Sequence, residues 1–387
     1  MQTNKHRKHG EVVKPQLGHF GRHELAVMGT NCTRIQQLSA QWIQALRDTC
    51  KAIYVDADHQ QADAPAPHLP TALQAGAAGQ YTDRIHFQQL DFIQAPNDFE
   101  RKKWFQSFDL ILVNGNHFPA KQQIVVLDPK KYASLERKLD RLKDVQLILQ
   151  TEPHQAIPGF LLAALPDQGA AVPVLDIADL EGQISWLRQW RQAQKPPLYG
   201  LVLGGGKSMR MGEDKGLIDY HGKPQRDWVF EQLTGICDQV FYSLRSEQLE
   251  GGPQPALADQ LLDLGPMGAL LTAFRNHPEA AWLIVACDLP FIDEETLSYL
   301  VEKRDTSAVA TAFVHPETRF PEPMISIWEP KSYPVLLNFL WQGYSCPRKV
   351  LINSETTLLE APNIRVFENV NTPEERRKAM DALNRKV

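Results

Sequence analysis

Three consecutive glycines, Gly204, Gly205 and Gly206, follow the apolar run that ends at Leu203, and the cations Arg210 and Lys215 come shortly after. A strand that ends in glycines before a helix offers bare backbone N–H groups at the carboxyl edge of a sheet, a concave donor surface that suits phosphate. Two added full positive charges suit a triphosphate better than a single carboxylate. Lys207 and Lys223 lie alongside and read equally well as solvated lysines. Glycines after a strand also fit a purely structural turn; the Arg-Met-Gly and Asp-Lys that follow favour the phosphate reading. The spacing is neither G-x-x-x-x-G-K-[ST] nor an ordered G-x-G-x-x-G with a later acidic residue, so a Walker loop and a dinucleotide fingerprint are both excluded.

Such a loop needs a parallel sheet to hold it, and the rest of the chain supplies the pattern. Short apolar, β-branched runs alternate with amphipathic stretches, as in α/β units around a mostly parallel sheet. The first half offers ELAVMG, AIYVDAD, DLILVNG, QIVVLD and VQLILQ as strands. Between the first two, Ile35, Leu38, Trp42 and Leu46 form one apolar stripe of a helix. Ala62 to Gly79 reads as a long loop. DLEGQISWLRQWRQAQ reads as a closing helix, and Lys195-Pro196-Pro197 interrupts it. The second half restarts at Tyr199 and continues with QVFYSL, AWLIVACD, AVATAFV, PMISIW and IRVFENV. The expected division is a basic tail at 1–23, one domain at 24–194 and another at 195–387.

At 387 residues two domains are the natural expectation, and 43% hydrophobic content is enough to pack both cores. A net charge of −5 argues against a nucleic-acid coat protein. No apolar run approaches the roughly 18 residues of a membrane span, and the N-terminus lacks a signal-peptide core. The five cysteines are scattered and odd in number, without Cys-x-x-Cys spacing, which fits reduced thiols and a cytoplasmic setting.

The full stretch LGGGKSMRMGEDKGLIDYHGKPQ resembles the signature of the nucleotidyltransferases typified by molybdenum cofactor guanylyltransferase, with Gly204 where alanine is usual. DLGPMGALLTAF (Asp263 to Phe274), LIVACDLPFI (Leu283 to Ile292) and NVNTPEE (Asn369 to Glu375) resemble three further family segments in the same order. The resemblance covers Tyr199 to Ala382 and implies a Rossmann-like domain that joins a phosphate oxygen of one substrate to the α-phosphorus of a nucleoside triphosphate. It places Leu203, Gly204, Gly205, Gly206, Lys215, Asp259 and Asp288 at the nucleotide, with Arg210, Lys215 and Asp288 as the catalytic groups. Mg2+ is the implied cofactor. Asp288 ends an apolar run and should emerge at the sheet's carboxyl edge, where a carboxylate would hold that ion. Its competing role is capping the next helix. Asn371 and Asn369 complete the metal or second-substrate shell by analogy, while Asn371 or Thr372 would equally cap the last helix. Cys287, with no sequence cue for an activating base, reads as core packing.

The first half resembles the P-loop partner of that enzyme, the molybdopterin-guanine dinucleotide biosynthesis adaptor, over Glu24 to Trp190. AIYVDAD, FDLILVNGNHFPAKQQIVVLD and VPVLDIADLEGQISWL carry the likeness. Its phosphate-loop position holds Thr33, Arg34 and Ile35, without the lysine or the magnesium-binding hydroxyl, and Asn114 replaces an acidic residue. A degenerate P-loop domain with a structural or partner-binding role follows, with retained nucleotide binding without hydrolysis as the alternative. His19 and His117 lack any firm ligand spacing.

The expected fold is thus two three-layer α/β/α domains with mostly parallel sheets. The expected function is transfer of GMP from GTP to the phosphate of molybdenum-molybdopterin, with molybdoenzymes or cofactor-biosynthesis proteins as partners and neither nucleic acid nor membrane. The sequence leaves open CTP with the same pterin, a sugar-phosphate substrate, and a non-catalytic cofactor-binding or delivery protein.

Overall fold

The computed structural model describes residues 23–57, 69–204, 214–249 and 252–384. They fall into two compact units, divided in sequence between Gln194 and Lys195. No helix among the described residues is long and apolar enough to cross a membrane.

The first unit contains β1 (His23–Met28), β2 (Ala52–Val55), β3 (Gly79–Asp83), β4 (Gln88–Phe92), β5 (Leu110–Asn114), β6 (Gln122–Leu127), β7 (Val145–Gln150) and β8 (Val174–Asp176). Six of these form one sheet in the order β2-β5-β1-β6-β7-β8, with every pairing parallel. β5 and the end of β6 are apolar and buried because helices cover both faces of such a sheet. The helix Cys32–Leu46 buries Ile35, Leu38, Trp42 and Leu46, the stripe its spacing predicts. Trp42 Nε1 donates to Gln183 Oε1 at 3.1 Å, on the helix Leu180–Ala193. Gln183 Nε2 in turn donates to the carbonyls of Asp176 and Ile177. Every polar atom of this buried amide is therefore satisfied.

The loop expected from Ala62 to Gly79 holds instead a helical turn at Thr71–Gln74 and the start of β3, which pairs antiparallel with β4; residues 58–68 lie outside the described set. This hairpin escapes a pattern search because its strands are mostly polar and neither presents a buried face.

The second unit contains β9 (Leu198–Leu203), β10 (Gln239–Leu244), β11 (Ala256–Ala258), β12 (Ala281–Ala286), β13 (Ala310–Val314), β14 (Pro321–Trp328) and β15 (Thr356–Leu359). The sheet order is β11-β10-β9-β12-β14-β13-β15, and only β14 runs antiparallel to its neighbours. One face packs against Val229 and Leu233 of the helix Gln225–Thr234 and against Leu297 and Leu300 of the helix Glu294–Glu302. The other face packs against the helix Pro266–Asn276 and against Leu336 and Val350. The result is three layers. IRVFENV, expected as a strand, is a 3-10 turn at Ile364–Phe367 that buries Val366 and leaves Ile364 exposed. The sheet edge beside β13 is already taken by β15.

Candidate functional site

β9 and β12 are central neighbours, and their register pairs Leu203 with Ala286. That register brings Gly204 and Asp288 out side by side at the carboxyl edge of the sheet, where open α/β sheets bind ligands. Lys215 stands in a 3-10 turn fixed by Asp214, whose Oδ1 accepts from the Gly216 amide at 2.9 Å while Oδ2 accepts from Gln248 Nε2 at 3.0 Å. So anchored, Lys215 Nζ donates to Asn371 Oδ1 at 2.5 Å and lies 3.6 Å from Asp288 Oδ2.

Asp288 does not cap the following helix. That role belongs to Asp293, whose Oδ1 accepts from the Thr296 amide at 2.9 Å. Nor does the Asn371 side chain cap the helix Pro373–Asn384. Thr372 Oγ1 accepts from the Glu375 amide, and the Glu375 carboxylate accepts from the amides of Thr372 and Asn371. This reciprocal cap leaves the Asn371 amide group to face Lys215. The Val370 amide donates to the Asp288 carbonyl at 2.9 Å, which ties the Asn369–Asn371 segment to the end of β12. Asn369 itself is exposed and joins none of these bonds.

Leu203, Gly204, Lys215, Asp259 and Asp288 line one cavity of about 260 Å³, together with Ser243, Pro266 and Met324. Asp259 follows β11; its Oδ1 accepts from Ser243 Oγ at 2.7 Å and its amide donates to the Leu244 carbonyl. Burial raises the Asp259 carboxyl above its ordinary value, partly opposed by the Ser243 hydroxyl and the charge of Arg245.

The Gly265-Pro266-Met267-Gly268 turn closes this wall for two separate reasons. Gly265 has φ of +54°, a conformation that side chains rarely adopt. A Cβ at Gly268 would lie 2.4 Å from the Leu261 carbonyl oxygen, so only glycine lets the helix approach that strand exit.

Gly205, Gly206, Lys207 and Arg210 lie outside the described residues. Lys223 is paired with Glu231 at 2.7 Å. Cys287 is buried, and burial pushes its thiol well up, as a core residue requires. Asp214 entered the sequence reading only as part of the Asp-Lys pair, and Ser243 and Glu375 were given no role there. Glu375 was visible in principle as the last residue of a Thr-x-x-Glu capping box, whereas Ser243 carries no local signal.

Among the described residues, no three His, Cys, Asp or Glu side chains gather as metal ligands. Among the described residues, the carboxylate of Asp288 meets Lys215 at 3.6 Å, and Asn371 adds an amide oxygen nearby. Oxygen donors from one carboxylate and little else suit magnesium, which keeps waters and phosphate oxygens as its other ligands.

A family model described as a MobA-like NTP transferase domain matches residues 200–357. Molybdenum cofactor guanylyltransferase of Pseudomonas putida is 30% identical over 187 residues, covering 46% of this chain and 95% of that protein. The molybdenum cofactor biosynthesis bifunctional protein of Synechocystis is 37% identical over 182 residues, covering 46% of this chain; the chain thus spans only 52% of that relative's length. Among solved structures, molybdopterin-guanine dinucleotide biosynthesis protein A from Archaeoglobus fulgidus aligns with a TM-score of 0.42 at 22% identity, over 48% of this chain and 99% of that one. Because the Pseudomonas putida enzyme is 30% identical and matched over 95% of its length, the chain belongs to the molybdenum cofactor guanylyltransferase family, a family of nucleotidyltransferases.

Proposed function

We propose that the second unit transfers GMP from GTP to the phosphate of molybdenum-molybdopterin and releases pyrophosphate. The observation that carries this reading is Lys215, held between Asn371 and Asp288 in the cavity that Gly204, just past β9, also lines. A phosphate oxygen of the pterin attacks the α-phosphorus of GTP; a new P–O bond forms and the bond to pyrophosphate breaks. An ionised phosphate needs no general base, and the positioning and charge neutralisation that remain are the tasks of such a site. Lys215 and Arg210 meet the triphosphate charge, with backbone amides of Gly205 and Gly206; the Gly204 amide already donates to the Ser243 carbonyl at 3.1 Å, so Gly204 serves as bare backbone in the cavity lining and not as a donor. Asp288, assisted by Asn371 or Asn369, would hold Mg2+, which supplies further neutralisation of phosphate charge when bound. Asp259 stands in the cavity wall to accept hydrogen bonds from the base. A cytoplasmic setting, with molybdoenzymes receiving the product, belongs to the same reading.

We assign residues 24–194 to a degenerate P-loop-type domain with a structural or partner-binding role. Its β1-to-helix turn is only Gly29, Thr30 and Asn31. A Cβ at Gly29 would lie 2.3 Å from the Val126 carbonyl oxygen, so the turn presses on the sheet, and Thr30 Oγ1 is committed to Asp128 at 2.9 Å. The test is pyrophosphate release by purified protein with magnesium and molybdenum-loaded molybdopterin, comparing GTP with CTP. Release with GTP alone is the expected result. Release with CTP alone would overturn the base assignment, and none with either would overturn the transferase reading.

A further inference from the structure

The first unit carries a cluster that the transfer reaction does not use. Cys32 is the first residue of the helix Cys32–Leu46 and is exposed. Its Sγ lies 3.2 Å from His117 Nε2, although 85 residues separate them. The same nitrogen is 3.6 Å from Asp56 Oδ1. Asp56 is itself fixed by Tyr54, whose hydroxyl donates at 2.6 Å, and by Asn114 Nδ2 at 2.8 Å. Burial works against the charged carboxyl of Asp56, but these bonds and the Ala57 amide hold its pKa below the ordinary value, so a negative charge stays beside the imidazole. The strands β2 and β5 therefore deliver a carboxylate and an imidazole to a thiol at a helix N-terminus.

Cations also lie near the sulfur. A cavity of about 170 Å³ beside Cys32 is lined by Thr30, Asn31, Asn116, Lys131 and Lys138. Lys138 Nζ donates to the Asn116 carbonyl at 3.2 Å, and Arg141 donates to the Gly115 carbonyl at 3.0 Å. The helix end adds its own partial positive charge, with Asn31 capping through Oδ1. A thiol with a base in contact and cations around it is a nucleophile arrangement.

We propose that Cys32 is a thiol–disulfide exchange site, with His117 taking its proton and Lys131 and Lys138 drawing in an anionic low-molecular-weight disulfide. The proton passes from Sγ to the imidazole, and the sulfur attacks one sulfur of the disulfide. The S–S bond of the reagent breaks as the new bond to Cys32 forms. The departing thiolate takes the proton from His117, so one thiol is consumed and one released. This inference stands apart from the transferase reading.

The probe is dithiobis(nitrobenzoate), an aromatic disulfide dianion whose released thiolate absorbs visible light, applied to the full chain at neutral pH. Cys346, also exposed, is the internal comparison. Cys346→Ser should react at least ~10-fold faster than Cys32→Ser, since Cys32 has an imidazole in contact to take its proton. Adding His117→Ala to Cys346→Ser should remove that advantage. Adding Lys131→Gln, at an exposed residue of the same cavity, should lower the preference for the dianion over cationic cystamine several-fold, as expected when local charge steers encounter. Equal rates for Cys32→Ser and Cys346→Ser would overturn the proposal. So would a folded His117→Ala variant that keeps the fast phase, or a mixed disulfide mapped to a cysteine other than Cys32.

Discussion

Replacing Gly268 with alanine sets two effects of opposite sign against each other. Gly268 lies inside the helix Pro266–Asn276, where alanine favours helix by up to about 1 kcal/mol. The new Cβ would stand 2.4 Å from the Leu261 carbonyl oxygen, and ordinary contact begins near 3.4 Å, so one side must yield by about 3.4 − 2.4 = 1.0 Å. The obstacle is backbone, which cannot rotate away as a side chain would. Overpacking of this kind costs about 1–3 kcal/mol. The clash is the larger effect, with net destabilisation of up to about 2 kcal/mol and a melting point lower by up to roughly 8 °C for a unit of this size. The functional consequence is larger. Leu261 sits two residues after Asp259, and the intervening Gln260 amide is bonded to Thr272 Oγ1 at 3.1 Å on the same helix, so the displacement reaches the cavity wall. Misplacement by about 1 Å can cost on the order of 100-fold in rate. Calorimetry and pyrophosphate release on Gly268→Ala check both figures. Gly235→Ala is the control, because that glycine has φ of −75° and nothing near its Cβ position. A Gly268→Ala protein with wild-type melting and turnover would refute the close approach as the reason for glycine there.

Three other perturbations follow from the same geometry. Asp288→Asn should lower pyrophosphate release by about 100-fold or more, as for loss of a group that neutralises transferring charge, while circular dichroism stays unchanged. Asp259→Asn should weaken GTP binding yet make the unliganded protein more stable at neutral pH, because burial disfavours the charged carboxyl. The sign follows from the proton: a carboxyl whose folded pKa is raised binds it more tightly when folded, so wild-type stability falls as pH rises through the window between the unfolded and folded values. The gap between Asp259→Asn and wild type in denaturant titrations should therefore open as pH rises and close in acid. Gln183→Leu should cost about 1–3 kcal/mol in the first unit, since it strands the buried Trp42 Nε1 and two backbone carbonyls. Denaturation followed by tryptophan fluorescence measures that loss.

The stripe of Ile35, Leu38, Trp42 and Leu46 was legible because a helix with one buried face must repeat its apolar residues at that spacing. Asp288 was legible because it ends an apolar run, and the position of such a residue at the sheet edge is a matter of counting. The pairing of Lys215 with Asn371 was not, since 156 residues separate them and only the tertiary fold brings them together. The likeness to known enzymes supplied that association in place of physics. The hairpin of β3 and β4 and the edge strand β15 were hidden for a different reason: each is too little buried for polarity to mark it. Cys32 and His117 looked unremarkable in sequence because a cysteine and a histidine far apart carry no spacing to read.

The central place of β1 also constrains how the chain is made. β1 pairs with β5 and β6, and its first residue, His23, meets Leu110, 110 − 23 = 87 residues downstream. At the ~5–20 residues per second of protein synthesis, β1 waits about 4–17 s for its first neighbour. During that time a buried apolar strand has no sheet to join, and the parallel arrangement offers no local hairpin in its place. The first unit thus holds an unpaired apolar strand for those seconds, whereas β13 and β14, which pair as a local antiparallel hairpin, can close almost as soon as they appear.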